Sequence, residues 1–288
     1  MMKPFQKIID FLLYSNIFIG VCAVALAFTN QLTVEGTLHF DKTCWFVLFA
    51  TIFTYSYLKF RDSDSVAPKT GHRQWAAGNS QLSKNILLLS LIATGAFFIS
   101  LKTETKITVA ILAAFTGFYG FVEIPFLKSK KKLRDFGLLK TLFVAIVWSV
   151  TTVLVPLENS MVEPGMMVFL LLRRFLFVLA LTMVFEIKDM QGDEEHGLNT
   201  LPILFGVTNT KLIAQGTLFA LMLINLVQYF FFDISLWNMI AVNLSVLVSI
   251  LCIQPLKEET SEAWYYLVID GMMILQFVFV FIATNYVG

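Results

Sequence analysis

Charged residues are scarce in this chain of 288 residues. Only 14% of its residues are Asp, Glu, Lys or Arg, and 57% are hydrophobic. A soluble domain has about a quarter charged residues. The shortage of charge therefore excludes an ordinary soluble domain and predicts that much of the surface faces lipid.

Further absences narrow the class of protein. The 21 basic and 20 acidic residues give a net charge of +1, so no overall field attracts nucleic acid. The three cysteines are scattered without metal-ligand spacing and are expected to fill apolar positions. No polar segment is long enough for a core of its own, so residues 1–288 are predicted to form a single transmembrane domain. The N-terminal segment lacks a small-residue cleavage site, which predicts a retained first helix and not a signal peptide.

Nine hydrophobic runs have about the length that a bilayer requires. They fall at residues 8–29, 43–60, 85–101, 105–127, 137–157, 165–187, 210–232, 236–253 and 263–286. Backbone polar groups in lipid are satisfied only in helices or closed barrels, and runs this continuous favour helices. The sequence predicts an all-α integral membrane protein with about nine transmembrane helices.

Lysine and arginine are concentrated in alternate loops between these runs. The N-terminus and the loops at 61–84, 128–140 and 188–210 carry most of them, whereas the intervening loops carry few. Basic residues mark the cytoplasmic side of a membrane protein. We therefore expect a multi-pass protein of the cell inner or plasma membrane, with the N-terminus and these three polar loops in the cytoplasm.

The segment from Glu186 to Pro202 is the most informative polar stretch. Glu186, Asp189 and Asp193 follow one another at spacings of three and four residues, which places them along one face of a helix. Like charges on one face need a compensating cation, and clustered carboxylate oxygens suit Mg²⁺. Because this face lies where a hydrophobic helix meets water, we expect a metal–pyrophosphate to dock there.

The same segment resembles the second aspartate-rich motif of the UbiA family of intramembrane prenyltransferases. The shared pattern is Asp189-x3-Asp193-x3-Gly197-x2-Thr200-x-Pro202-x3-Gly206. A second patch resembles the tyrosine and basic loop that precede the family's fifth helix. It consists of Tyr119, Pro125, Leu133, Arg134, Lys140, Val144, Ala145 and Trp148. The resemblance implies nine transmembrane helices around a central, lipid-open cavity that polar loops cap on one side.

The resemblance also implies an activity, the transfer of a polyprenyl group from its diphosphate to an aromatic or related lipophilic acceptor, as in quinone biosynthesis. Mg²⁺ bridges aspartates to the diphosphate in such enzymes. The implied catalytic residues are Asp189, Asp193 and Tyr119. The implied metal ligands are Glu186, Asp189, Asp193, Asp62 and Asp64. The implied diphosphate contacts are Arg61, Lys128, Arg134 and Lys140.

The first aspartate-rich motif of the family, NDxxDxxxD, is incomplete in this chain. At its position the sequence reads YSYLKFRDSD from Tyr55 to Asp64, so that the Asn and the first Asp are absent. Arg61 and Lys59 could replace a metal by contacting the diphosphate directly. Near the second patch, Glu123 stands where the family tends to place a lysine.

Two other functions stay open at this point. A non-catalytic protein that binds isoprenoid or lipid on the same fold would explain the incomplete first motif. A transporter would use Arg173, Arg174 and Asp270 as a charged pathway, although the sequence shows neither inverted repeats nor broken helices. A charge deep in a membrane span is costly, so each arginine should face a partner or a wet cavity. Asp270 is a candidate partner.

Overall fold

Apolar runs of this length fold as helices because a helix satisfies its backbone polar groups internally. The computed structural model describes residues 4–61, 71–121, 137–195 and 197–287, and these residues contain helices and no strand. The helices are α1 (Pro4–Tyr14), α2 (Ile17–Glu35), α3 (Lys42–Arg61), α4 (Gly71–Gly78), α5 (Ser80–Ser100), α6 (Thr103–Phe121), α7 (Gly137–Val153), α8 (Pro164–Glu195), α9 (Leu201–Phe231), α10 (Leu236–Ile253), α11 (Glu262–Trp264) and α12 (Gly271–Ile282). A π-helical turn, Tyr265–Ile269, joins α11 to α12, and a second one, Ala283–Val287, follows α12.

Among the described residues, six helical segments are long and apolar enough to cross a membrane. They are α2, α5, α8, α9, α10 and the continuous segment Glu262–Tyr286. A shorter apolar segment, Leu138–Val153, lies in α7, and α3 and α6 have 20 and 19 residues. The chain is thus an all-helical, multi-pass membrane protein, as predicted. The count of nine spans stays a prediction.

The first predicted run, residues 8–29, is divided in the structure between α1 and α2. The break lies at Asn16, whose backbone has a left-handed φ of 65°, a conformation that Asn tolerates better than most residues. The Asn16 amide also donates to Ser56 Oγ of α3 at 2.9 Å. Hydropathy could not reveal this break, because both sides of it are apolar.

Six helices form a closed ring around the main core. Around the ring, α2 packs on α7, α7 on α8, α8 on α9, α9 on α10, α10 on α12, and α12 on α2. Helix α3 packs on α2 from outside the ring, and α5 packs on α3. The core includes Leu26, Phe177, Leu181, Leu218 and Tyr265, all of them buried. Of the apolar stretch of α5, only 6% of the residues are buried, compared with 61% in α2. Most side chains of α5 therefore lie on the outer surface of the bundle, where they face lipid.

Candidate functional site

The acidic stripe, which consists of Glu186, Asp189 and Asp193, lies at the C-terminal end of α8. This helix closes with a Schellman motif. Gly197 has a left-handed φ of 66°, and its N–H donates to the Glu194 carbonyl at 3.0 Å. The next N–H, of Leu198, donates to the Asp193 carbonyl at 2.9 Å. These bonds satisfy the last carbonyls of the helix. The glycine of the sequence pattern therefore ends α8 shortly after Asp193.

The start of α9 is built from the remaining positions of the pattern. Thr200 precedes the helix, and Pro202 occupies its first turn, where the missing proline N–H leaves no helical bond unmade. At Gly206 the backbone has φ 77° and ψ 162°, a region that is essentially restricted to glycine. This residue bends α9 one turn after its start.

The three carboxylates of the acidic stripe have different environments. Glu186 and Asp193 are buried, whereas the side chain of Asp189 is 45% exposed. One Glu186 oxygen accepts from the Thr141 hydroxyl of α7. The other accepts from the Leu201 N–H at 3.1 Å and so caps the N-terminus of α9, where a negative charge is favourable. Glu186 thus ties α7 and α9 to α8.

Lys140, one of the predicted diphosphate contacts, lies near Glu186 of the acidic stripe. It precedes Thr141 on α7, is half-buried, and interacts electrostatically with Glu186. The Glu186 carboxylate also interacts electrostatically with Asp193. Lys140, Glu186 and Asp193 therefore form one electrostatic group at this end of the bundle.

Lys188 is a member of the site to which the sequence analysis gave no role. Its Nζ lies 2.7 Å from Asp189 Oδ1, and its side chain is only 10% exposed. The ammonium also lies 5.5 Å from the centroid of the Tyr266 ring, within the range of a cation–π contact. A lysine inside an acidic stripe at the end of an apolar helix was the signal that could have identified it.

Lys59 of α3 approaches the same region from the opposite side. Its Nζ donates to Asn16 Oδ1 at 2.5 Å and to the Tyr14 carbonyl at 3.4 Å. It interacts electrostatically with Lys188 and with the buried carboxyl of Asp270. In the part of the chain that the structure describes, no hydrogen bond joins Asp270 to Arg173 or Arg174, the predicted partners; its electrostatic partners are these two lysines.

A small polar cavity of about 60 Å³ opens beside Lys59. Its lining includes Tyr14, Asn16, Ser56 and Trp75. Burial, and then the carboxylates of Glu262 and Asp10, raise the pKa of Tyr14. The phenol therefore remains protonated at neutral pH and can donate a hydrogen bond.

Other predicted site residues are not brought to this group by the described structure. Asp62, Asp64, Lys128 and Arg134 lie outside the described residues. For Arg61 and Tyr119 the structure describes the helical backbone, at the end of α3 and near the end of α6. The roles of these six residues stay predictions.

The donor atoms of the acidic stripe fit a magnesium ion that is shared with a substrate. Across the described ranges, no group of three or more His, Cys, Asp or Glu side chains could hold a metal by itself. Mg²⁺ is usually bound through one or two carboxylates plus substrate phosphates. Asp189 and Asp193, one helical turn apart, supply two carboxylates of this kind. Glu186 already binds protein donors through both oxygens.

A second polar cluster, the arginine pair, lies on α8 about 24 Å from Asp189 by helical rise. Arg173 Nη1 donates to Asn225 Oδ1 at 3.2 Å and to Gln228 Oε1 at 3.3 Å. Both acceptors belong to α9, and both guanidinium groups are buried. Arg173 therefore donates to two neutral side-chain amides.

Arg174 points to different helices, as expected for adjacent positions on a helix. Its Nη2 donates to the Leu26 carbonyl at 2.8 Å and to Asn30 Oδ1 at 3.2 Å, both in α2. Its Nη1 donates to Gln276 Oε1 of α12 at 3.1 Å. The pair thus joins α8 to three neighbouring helices through neutral oxygens.

Comparison with known proteins identifies the family. Residues 17–279 match the model of the UbiA prenyltransferase family. The chain belongs to the UbiA prenyltransferase family. The resemblance inferred from the acidic stripe is thereby confirmed.

Two solved structures share the fold of this UbiA-family chain. One comes from work on the biosynthesis of digeranylgeranylglyceryl phosphate synthase in membranes; it has a TM-score of 0.60 at 14% identity and covers 97% of this chain and 99% of its own. The other is the apo structure of a UbiA homolog from Aeropyrum pernix K1, with a TM-score of 0.62 at 13% identity, covering 94% and 98%. At these identities the likeness shows the fold. No curated protein sequence matches the chain.

Proposed function

We propose that the protein transfers a polyprenyl group from its diphosphate to an aromatic or related lipophilic acceptor, with Mg²⁺ as cofactor. Proteins of the UbiA family are generally prenyltransferases. The observation that carries the proposal is the pair Asp189 and Asp193 at the end of α8, with Lys140 and Lys188 beside it. Carboxylates and ammonium groups together suit a diphosphate that arrives with a hard cation.

The reaction separates charge, and this determines what the site must do. The bond between the allylic carbon and the bridging oxygen breaks, and its electron pair leaves with the diphosphate. The acceptor then attacks the allylic cation and loses a proton. Bound Mg²⁺ would neutralise charge on the departing diphosphate. Asp189 and Asp193 would hold the metal, and Lys140 would stabilise the leaving group.

The allylic cation needs an apolar, aromatic surrounding that excludes water. The aromatic ring of Tyr266 lies beside Lys188, with its centroid 5.5 Å from Nζ. The Tyr55 and Trp148 rings are 6.3 Å apart, and the Phe185 and Tyr266 rings are 6.2 Å apart. These four rings, from four different segments, are the candidate walls of a prenyl pocket.

The bias of Lys and Arg supports a cytoplasmic location for this end of the bundle. A prenyl diphosphate has a charged headgroup that favours water and a hydrocarbon tail that favours the bilayer. A site at the end of α8 would receive the headgroup from the aqueous phase and leave the tail in the bilayer. Quinone synthesis is one pathway class in which such a transfer supplies a product.

Binding of geranylgeranyl diphosphate to the protein in nanodiscs tests the proposal. The name of the synthase with the similar fold makes this chain length a reasonable first probe. We expect Mg²⁺-dependent binding that Asp189→Ala and Asp193→Ala each abolish. The matched control is Asp233→Ala, which removes an exposed carboxylate beyond the other end of α9.

Binding that is absent at several chain lengths, or indifferent to both aspartates, would contradict the proposal. The non-catalytic alternative, a UbiA-fold protein that binds isoprenoid or lipid, would then be the better account. Binding of an uncharged isoprenoid alcohol as tight as that of the diphosphate would favour the same alternative.

A further inference from the structure

We propose that Lys59 and Lys188 bind the diphosphate directly, so that this protein holds the leaving group with two fixed ammonium groups beside the magnesium-binding aspartates. The inference rests on the proposed function and deepens it. It assigns a binding role to residues on two helices, α3 and α8, that come together only in the folded protein.

Both lysines are partly buried, and a buried ammonium group is unfavourable without an anionic partner. The side chain of Lys188 is only 10% exposed, and Lys59 lies close enough to repel it. Bringing two like charges together in a partly buried site is unfavourable unless anions compensate them. An anionic ligand between the two would relieve this repulsion.

Within the described part of the chain, three carboxylates act on the two lysines, but only that of Asp189 lies at ion-pair distance. Lys188 forms an ion pair with Asp189, a carboxylate that the proposed function assigns to Mg²⁺. Lys59 hydrogen-bonds neutral oxygens of Asn16 and Tyr14. Asp270 and Glu262 contribute at longer range to both lysines. Because an ammonium group has three N–H donors, Lys188 can donate to an anion on the substrate while it stays paired with Asp189.

The surroundings of Lys59 are those of an anion site. The cavity beside it is lined by hydroxyl and amide groups of Tyr14, Asn16 and Ser56, and these can donate hydrogen bonds to phosphoryl oxygens. The volume of the cavity is about 60 Å³.

Helix α3 carries no carboxylate at all between Lys42 and Arg61. At this side of the site it presents Ser56 and Lys59, both on the lining of the cavity. A second magnesium ion would therefore lack ligands from α3. A lysine can supply the same neutralising charge to a phosphate without a metal.

The test is calorimetric binding of inorganic pyrophosphate to the protein in nanodiscs, in EDTA and then in Mg²⁺. We expect measurable binding in EDTA that Lys59→Met and Lys188→Met each weaken by about ten- to a hundredfold, the size of one charge-assisted hydrogen bond. Lys188→Arg should restore much of the affinity, because it keeps the charge. The matched control is Lys257→Met, which removes an exposed lysine from the loop before α11 at the same end of the bundle.

The outcomes separate this inference from the proposed function. If the wild type binds pyrophosphate only with Mg²⁺, or if both methionine variants bind it in EDTA as Lys257→Met does, the inference is overturned and the prenyltransferase proposal stands. If pyrophosphate binds in EDTA through the lysines but no prenyl diphosphate binds with Mg²⁺, the inference stands and the proposed function fails. Should a methionine variant fail to fold, the comparison of Lys59→Arg and Lys188→Arg with their Gln counterparts decides the same question.

Discussion

Two polar clusters on one helix, the arginine pair and the acidic stripe, differ in what surrounds them. The arginine pair is buried on all sides, and its hydrogen-bond acceptors are amide and carbonyl oxygens of α2, α9 and α12. The acidic stripe has the ammonium group of Lys188 beside its carboxylates, and the Asp189 side chain is 45% exposed. The arginine pair is thus a closed cluster with neutral hydrogen-bond acceptors, and the acidic stripe is an open cluster with a charged partner.

The difference indicates separate tasks for the two ends of α8. If either arginine left this cluster, the buried oxygens that accept from it would lose their donors. The arginine pair is therefore suited to holding helices together, and its neutral hydrogen-bond acceptors do not support a transporter that would use these arginines as a charged pathway. The half-exposed carboxylate of Asp189, next to Lys188, can exchange one partner for another. This is the property that a binding site needs.

The largest expected effect tests the open cluster. Asp189→Asn should lower prenyl transfer by about 10²–10³-fold, since it weakens the hold on the charge that develops in the transition state. The thermal midpoint should change little, because the side chain is half-exposed. Turnover of geranylgeranyl diphosphate and a melting curve would be measured side by side, with Asp233→Asn as the control. A loss of stability as large as the loss of rate would mean that the stripe is structural.

The next effect tests the closed cluster. Arg174→Met should lower the free energy of unfolding by about 2–4 kcal/mol, because the Leu26 carbonyl and the amides of Asn30 and Gln276 lose their donors, at about 1–3 kcal/mol each, offset in part by removal of a buried charge. Denaturant unfolding in detergent would measure it. Pyrophosphate affinity should stay as in the wild type. A changed affinity with unchanged stability would place the arginine pair in the substrate path.

A smaller effect concerns the bend that shapes the open end. Gly206→Ala should destabilise the protein by about 1–3 kcal/mol, the cost of a side chain in a glycine-only backbone region. No atom lies within 4 Å of the added Cβ, so the cost would come from the backbone alone. Gly216→Ala, on the regular part of α9 and equally free of contacts, should instead be neutral or stabilise by up to about 1 kcal/mol. Equal shifts in thermal midpoint for the two variants would contradict this explanation of the bend.

The smallest expected effect tests whether Glu186 has a structural role, unlike the metal-binding role proposed for Asp189 and Asp193. Thr141→Val should cost about 1–2 kcal/mol of stability, because it removes the hydroxyl that donates to the buried Glu186 carboxylate. Thr141→Ser keeps the donor and should behave like the wild type. Magnesium affinity, measured in the presence of pyrophosphate, should be the same in both variants. A valine variant that binds magnesium tenfold more weakly would show that Glu186 acts on the metal as well as on α7 and α9.

The sequence predicted the acidic stripe well because helical spacing is local. Residues three and four apart lie on one face wherever a helix forms, so Glu186, Asp189 and Asp193 could be grouped without knowledge of any other helix. The break at Asn16 was missed since it separates two equally apolar stretches. Lys188 was missed for another reason: its importance comes from Tyr266, Lys59 and Asp270, all distant in the chain.

By itself, the sequence determined the lipid environment, the helical class, the family and the position of the acidic stripe. These properties depend on composition and on spacings of a few residues, which any helical fold preserves. Only the tertiary structure decided that Glu186 binds α7 and α9, that Lys59 comes within electrostatic range of Lys188, and that the arginines donate to neutral oxygens. Each of these depends on which helices pack together. Packing is set by the fit of many weak, non-directional contacts across the whole core.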